Sequence, residues 1–436
     1  MPNQLPSNEL KRSLGLFALI AYGVGDILGA GIYALVGKVA GLAGNACWLA
    51  FLFSFGVSVF TAFSYAELGA RFPRSAGASI YSLKAFQRPV LSYFVGFLVL
   101  MSGVVSMATV SHGFAGYVRA VWPAIPTGVV IFIFLLTLTA INFWGINESS
   151  LTNMFCTVLE ISGILMVIVA GLKFFGRVDY FEFVPPEGKA AAPAFFQASV
   201  LAFYAFIGFE DIANVAEETQ EPEKSMPRAI LTALGIVTVL YILTAVAAVS
   251  AVPSGELAAS SAPLILVVQK GFPWIPSGLF SLIALFAVTN TALVNFIMGS
   301  RLLYGMAREG LLPSFLGRIH PVRQTPYVAI GVVLSAATIL AYTGTLVLLA
   351  QSNSFILLSI YFVMNLSLIV IKRRPGEPRA RFQIPIWVPV LGCMSSIFLI
   401  FFVDPRALFT VASLLLLGLG IHLLLRFGGP RRGIQA

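Results

Sequence analysis

The sequence predicts an all-α integral membrane protein with twelve transmembrane helices. Hydrophobic residues make up 58% of the 436 residues and charged residues only 10%, and long apolar runs recur along the whole chain. An ordinary soluble domain carries about 25% charged residues, so this composition cannot cover a water-facing surface. A run of about 20 apolar residues is long enough to cross the hydrocarbon core of a bilayer as a helix.

Each predicted span ends at charged residues, proline or glycine. We place the spans at 14–36, 46–68, 91–117, 127–147, 151–175, 195–216, 229–252, 276–303, 326–344, 347–371, 384–402 and 405–426. The first run is too long for the apolar core of a cleavable signal peptide. The stretch 256–274 holds an apolar run too short to span, so we expect a short extracellular hairpin there.

The basic residues predict the orientation. With both termini cytoplasmic, twenty of the 27 Lys and Arg residues lie inside and seven lie outside. This bias is typical of membrane proteins, whose cytoplasmic loops are rich in Lys and Arg. We therefore expect a multi-pass protein of the plasma membrane, in a bacterial inner membrane given its short termini and loops. The formal charge of +9 reflects topology, so nucleic acid is not an expected partner.

Several classes of protein lack support. The three cysteines lie far apart, which indicates neither a disulfide framework nor a metal site. The three scattered histidines provide no nucleophile–base pair, so neither an enzyme nor a cofactor is expected. A GxxxxGK[ST] nucleotide-binding motif is absent from the sequence, which argues against an ATP-driven pump. A channel is not expected to have two matched helix breaks, and only transport assays separate a transporter from a sensor that keeps the same fold.

The first and sixth spans carry features that interrupt a helix. Gly23, Gly25, Gly29 and Gly31 surround Asp26 in the first span, and each glycine weakens a helix by about 1 kcal/mol relative to alanine. The sixth span has Gly208 followed by two acids. Glycines in transmembrane helices often serve only close packing. Two interruptions five spans apart nevertheless indicate a transporter site built on an inverted repeat.

This pattern predicts three sections of the chain. Residues 1–175 form the first repeat with spans one to five, and residues 176–371 form the second with spans six to ten. Residues 372–436 hold the last two spans and a C-terminal tail.

Four acids fall inside the predicted spans: Asp26, Glu160, Glu210 and Asp211. A charge at the bilayer centre costs from about 2.5 to over 10 kcal/mol, so each of them needs a reason. We hypothesise that Asp26 and Glu160 form an acidic pair that carries a proton or binds a cation. Glu160 alternatively accepts a structural hydrogen bond from Thr157 or Ser162. Residues 289–291 could supply oxygen ligands for sodium, or hold neighbouring helices together.

Four segments resemble the amino acid-polyamine-organocation (APC) superfamily of transporters, and most closely the bacterial relatives of its cationic amino acid transporters. They are residues 23–37, residues 65–73 with Ala76 and Gly77, residues 203–218 with Pro222, Lys224 and Pro227, and residues 301–313. The resemblance covers most of the chain and weakens in the last two spans. It implies a five-plus-five inverted repeat with two extra C-terminal helices, in which the first and sixth helices are broken.

The resemblance also implies a substrate site. Backbone N–H groups of Gly29, Ala30 and Gly31 would hold a substrate carboxylate. Backbone carbonyls near Ile27 and around Phe203 and Ala205 would take the ammonium group, while Phe203, Tyr204 and Ile207 would border the side-chain pocket. Some proton-coupled relatives have a lysine on the fifth helix where a sodium ion would sit, and the alignment places Glu160 there. Lysine coupling is therefore not expected.

The expected function is secondary transport of amino acids by alternating access, coupled to protons or, alternatively, to sodium. A second possibility is an exchanger of amino acids or polyamines, because four acids inside the membrane suit cationic ligands. Glu217 and Glu218 are expected to form a cytoplasmic gate with Arg301 and Arg308. Rim salt bridges of this kind can bias opening without touching the substrate.

Overall fold

The computed structural model describes residues 14–73, 77–144, 150–308, 311–376 and 380–428. The motif residues Ala76, Glu309 and Gly310, and the tail 429–436, lie outside these residues.

Fifteen α-helices are present in the described residues, in the order α1 Leu16–Ala43, α2 Cys47–Arg71, α3 Gly77–Phe86, α4 Pro89–Val121, α5 Thr127–Trp144, α6 Ser150–Leu172, α7 Ala191–Tyr204, α8 Pro222–Ala251, α9 Ser254–Ala259, α10 Pro263–Gly271, α11 Ser277–Arg308, α12 Tyr327–Thr343, α13 Leu346–Lys372, α14 Trp387–Ile400 and α15 Pro405–Gly428. A 3₁₀ helix over Phe209–Glu218 continues from α7 after a break. Each predicted span overlaps one of these helices. Most of their ends lie within five residues of the predicted ones, but α1 ends seven residues later, α8 begins seven residues earlier, and α7 ends twelve residues earlier than predicted.

Nine apolar segments of the described residues are long enough to cross a membrane. The first of them, Leu16–Arg71, holds both α1 and α2, and the helices α12 and α14 are shorter apolar segments. Large apolar side chains remain exposed on the outside of the molecule, among them Phe409 at 74% and Ile339 at 63%. A protein in water rarely exposes so much contiguous apolar surface, whereas a lipid-facing surface requires it.

Helix α1 lies in the interior and organises the core. Its second half, from Ile27 to Gly37, is buried, and the helix packs against α6, α7, α8 and α11. Gly37 and Gly41 allow the short helix α9 to lie against the C-terminal end of α1. A Cβ atom on Gly37 would come within 2.2 Å of the Leu257 oxygen, and one on Gly41 within 2.5 Å of the Ala258 Cβ atom. The predicted hairpin at 256–274 thus consists of α9 and α10, packed over the end of α1.

Candidate functional site

The helical path of α1 is interrupted at Gly29. This residue has φ 2° and ψ −158°, outside the helical region, while the residues on both sides remain helical. The next N–H group, on Ala30, donates a hydrogen bond of 3.1 Å to Oγ1 of Thr291 on α11. The glycine-rich run therefore produces the break that its composition predicts, and a neighbouring helix satisfies one of the freed donors.

A second interruption separates α7 from the 3₁₀ helix. Helix α7 ends at Tyr204, and the backbone turns through Ala205 to Gly208 before it continues as Phe209–Glu218. Gly208 has φ 124°, a conformation that favours glycine. A Cβ atom here would also lie 3.0 Å from the backbone oxygen of Asp26. The interruption predicted for the sixth span is thus observed, and it lies against the first.

The two breaks are in direct contact. A Cβ atom on Gly31 would lie 2.6 Å from Cα of Ala205, so only glycine permits this approach. The hydroxyl group of Tyr241 on α8 donates to the Ile27 oxygen at 2.6 Å and lies 2.9 Å from the Ala205 oxygen. A single side chain therefore holds backbone carbonyls of both interrupted segments.

A small cavity of about 30 Å³ lies between the breaks. Of the residues predicted to bind substrate, it is lined by Ile27, Gly29, Ala30, Gly31, Tyr204, Ala205 and Ile207. The remaining one, Phe203, is fully buried and packs edge-on against the ring of Tyr361. A space of this size holds about two water molecules, so an amino acid fits only if the two breaks move apart.

A much larger cavity of about 890 Å³ adjoins the small one. Both cavities are lined by Ile207, Asp211 and Asn295. The large cavity extends along the first half of α1, the 3₁₀ helix, α4 and α11 to the end of the molecule that carries Leu14, Glu218 and Arg301. This end is the predicted cytoplasmic side.

The buried acids have partners that differ from the expected pairing. Asp26 lines the small cavity together with Asp211, whereas Glu160 accepts a bond of 3.1 Å from Nδ2 of Asn290 and lines neither cavity. The structure therefore does not bring Asp26 and Glu160 together as a hydrogen-bonded pair. Sequence spacing places each acid on its own helix, but it does not show which side chain of another helix faces it.

The expected gate residues lie near the mouth of the large cavity. Glu218 and Arg301 line it, and Arg308 is exposed farther along α11. Across the described residues, no ion pair joins Glu218 to Arg301 or Arg308. This arrangement is that of an open mouth, in which the charges face the same space without meeting.

Glu67 lies at the end of α2 and has a structural role. Its fully buried carboxylate pairs with Arg71 at 2.8 Å and Lys372 at 2.7 Å. It also accepts the backbone N–H of Ile384 at 2.8 Å. One acid thereby fastens α2 to the end of α13 and to the segment before α14.

The sequence did not predict a role for Tyr241 at the two breaks, and it did not predict that Thr291 and Asn295 on α11 line the small cavity. A tyrosine in an apolar run gives no signal by itself, because it usually packs or anchors a helix. Thr291 and Asn295 offered a weak signal, since residues four apart share one face of a helix. Both line the small cavity, and Thr291 holds the Ala30 N–H group.

The sequence profile described as "Amino acid permease" matches residues 14–423, which is nearly the whole chain. The chain belongs to this family. The chain is accordingly a multi-pass membrane protein of the APC superfamily, which confirms the resemblance drawn from its motifs.

Three curated relatives are similar along much of their length. The branched-chain amino acid permease BcaP of Bacillus subtilis is 28% identical, over 95% of this chain and 93% of the relative. The methylthioribose transporter of the same organism is 27% identical, over 90% and 88%. Cationic amino acid transporter 9, chloroplastic, of Arabidopsis thaliana is 32% identical, over 72% and 58%. The relatives are transporters, but their names describe different substrates.

Proposed function

We propose that the protein is a secondary active transporter that moves amino acids across the membrane by alternating access. The observation that carries this proposal is the contact between two interrupted helices at a small cavity that adjoins a large one. Binding sites at paired helix breaks are typical of transporters built from inverted repeats. The relatives that are named amino acid permeases support the choice of substrate class.

A zwitterionic substrate would bind where the two breaks meet. The N–H groups of Gly29, Ala30 and Gly31 would hold its carboxylate, because a helix start offers unpaired donors and a positive dipole end. The oxygens of Ile27 and Ala205 would accept from its ammonium group. In the structure, protein side chains occupy both sets of backbone groups. Thr291 accepts from the Ala30 N–H, and the Tyr241 hydroxyl lies against the oxygens of Ile27 and Ala205. Substrate binding would exchange these bonds for its own.

The proposed state is inward-facing. The large cavity reaches the mouth at Glu218 and Arg301, while α9 lies over the opposite end of α1. We infer twelve membrane crossings with both termini in the cytoplasm, in a bacterial inner membrane. Residues 1–175 and 176–371 are proposed as the inverted repeats, which the interruption of the first helix in each supports.

Coupling to protons is proposed over coupling to sodium. Asp26, Asp211 and Glu160 are the candidate carriers, because all three are carboxyl groups next to the broken helices. An exchanger of amino acids or polyamines is the second candidate. The large cavity favours it, since three acids, Glu210, Asp211 and Glu218, line it against one base, Arg301.

The proposed function is tested with purified protein in liposomes loaded with unlabelled amino acid. Labelled arginine, leucine and putrescine are offered outside, first without and then with a pH or sodium gradient. Saturable counterflow of at least one amino acid is the expected result. Ile207 lines both cavities, so Ile207→Trp should block counterflow. Ile339→Trp, at a position 63% exposed on α12, is the matched control. Flux that neither saturates nor shows counterflow would contradict a transporter.

A further inference from the structure

The hairpin of α9 and α10 is held by one lysine at the end of each of its helices. Lys38 on α1 donates from Nζ to the backbone oxygens of Ala258 and, at 3.3 Å, of Ser260, at the end of α9. Lys173 follows α6 and donates from Nζ to the oxygen of Gly271, the last residue of α10, at 2.7 Å. Two elements of the proposed first repeat therefore hold a hairpin that belongs to the second.

Both contacts use the positive charge of the lysine. The last carbonyl groups of a helix have no partner within the helix and form the negative end of its dipole, where a cation is stabilising. Nζ of Lys173 also lies 4.8 Å from the centroid of the Phe272 ring. Among the described residues neither Lys38 nor Lys173 forms an ion pair with an acid. The carbonyl groups of the hairpin are thus the oxygen partners of these two charges.

Glycines bring the hairpin into direct contact with the helices below it. A Cβ atom on Gly116 of α4 would lie 2.3 Å from the Ser261 oxygen, and one on Gly271 would lie 2.5 Å from the Ala170 oxygen of α6. On α1, Gly37 and Gly41 approach α9 equally closely. Such close packing leaves no space for a substrate between the hairpin and α1. A passage at this place requires that α9 and α1 separate.

The two lysines lie on elements with different freedom to move. Lys38 comes nine residues after Gly29, on the half of α1 that follows the interruption. Helix α6, directly before Lys173, runs from Ser150–Leu172 without an interruption. A rotation of the second half of α1 about Gly29 therefore acts on the contact between Lys38 and α9, while α10 stays attached to α6.

We propose that Lys38 is a releasable contact that stabilises the inward-facing state, and that Lys173 keeps the hairpin attached when this contact is broken. The inference rests on the proposed transport function and adds the residue that keeps the outer side closed. The Lys38 side chain is half-buried, so water can replace the carbonyl oxygens as its acceptors when α1 moves. The contact can therefore break and form again in each transport cycle.

A contact made in only one state has a different effect from an ordinary stabilising contact. Its loss raises the population of the other state, here the outward-facing one. The apparent affinity for substrate on the outside then increases, because a larger fraction of the protein is competent to bind from that side. Loss of a contact common to both states changes neither quantity.

Access from the outside is measured with a cysteine at Ser106, which lines the small cavity. Ser106→Cys is combined with Lys38→Met or with Lys189→Met, and right-side-out membrane vesicles are treated with a thiol reagent that does not cross the membrane. The same chains without the added cysteine give the background from the three native cysteines. Lys189→Met is the matched control, because Lys189 lies on the same predicted side and donates to Gln197 at 2.7 Å in an exposed contact.

We expect Lys38→Met to raise the labelling rate about fivefold, since a cation at a helix end contributes about this factor to an equilibrium. Lys189→Met should leave the rate unchanged. Equal rates in the two variants overturn the proposal. If melting in detergent shows that Lys38→Met does not fold, Lys38→Gln takes its place with the same expected result, because an amide removes the charge and keeps a polar group at the half-buried position.

A second measurement is counterflow at different outside concentrations of amino acid. We expect a lower apparent Michaelis constant for Lys38→Met than for Lys189→Met, whereas damage to the site would raise it. A constant equal to that of the control, or above it, overturns the proposal. If none of the amino acids is transported by any variant, the proposed transport function fails, and the labelling rates still decide whether Lys38 keeps the outer side closed.

Discussion

The hydroxyl group of Tyr241 lies 2.6 Å from the backbone oxygen of Ile27 and donates a hydrogen bond to it. The same hydroxyl is 2.9 Å from the oxygen of Ala205. Helix α8 thereby reaches both interruptions through one atom. Any movement that separates the breaks must replace at least one of these contacts.

Replacing Tyr241 by phenylalanine should therefore weaken the site. The substitution leaves buried carbonyl oxygens without a donor, which costs about 1–3 kcal/mol. We expect a lower melting temperature in detergent and slower counterflow in liposomes. Tyr342→Phe is the control, because its hydroxyl bonds to the Gly128 oxygen at 2.7 Å on the exposed side of the molecule. Equal effects of the two substitutions would show that the bridge between the breaks has no special role.

The close approach of Gly31 and Ala205 gives a second prediction. In Gly31→Ala the new Cβ atom would stand 2.6 Å from Cα of Ala205, so the two breaks must shift apart. We expect loss of substrate affinity in counterflow, because the N–H and carbonyl groups would no longer face each other. Gly235→Ala on α8 places its Cβ atom where no atom lies within 4 Å, and it should transport normally. A normal Michaelis constant for Gly31→Ala would contradict the proposed site.

The mouth of the large cavity gives a third prediction. Glu218 and Arg301 face the same space and would approach each other when the cavity closes. Glu218→Arg and Arg301→Glu should each slow transport, because the closed state then brings like charges together. The double charge reversal should restore part of the rate. If it is slower than both single variants, the two side chains do not form a gate.

The triad at Glu67 gives a fourth prediction, on stability. Glu67→Gln leaves Lys372 and Arg71 without their carboxylate, and breaking a buried ion pair costs about 3–5 kcal/mol. Unfolding in detergent, followed by circular dichroism, should show a clear drop in melting temperature. The exposed pair Glu221 and Lys224 provides the control, since solvent screens such pairs and Glu221→Gln should change little. Similar melting temperatures for both variants would argue against a fastening role for Glu67.

The position of the two breaks was predictable because local composition determines them. Four glycines in nine residues of the first span, and Gly208 beside two acids in the sixth, weaken a helix whatever surrounds it. Most of the long apolar helices were likewise predictable, since hydrocarbon thickness sets the length of an apolar run. These features depend on a few neighbouring residues, and one sequence contains them.

The partners of the buried acids depend on how helices rotate against one another. Asp26 and Asp211 are 185 positions apart, and helix periodicity in either segment gives no information about the other. The expected pairing with Glu160 rested on both acids lying inside predicted spans. In the structure Asn290 holds Glu160, and the turn at Gly208 places Asp211 at the same small cavity as Asp26. Contacts of this kind follow from the packed fold.

The residues before α1 and after the 3₁₀ helix are joined by their backbones. Leu14 donates to the oxygen of Glu218 at 2.9 Å and accepts from the N–H of Gln220 at 2.8 Å. The inner arms of both broken helices are therefore joined to each other at their free ends. Because the two arms are joined, a rotation of the first half of α1 about Gly29 must also move the segment that follows Gly208.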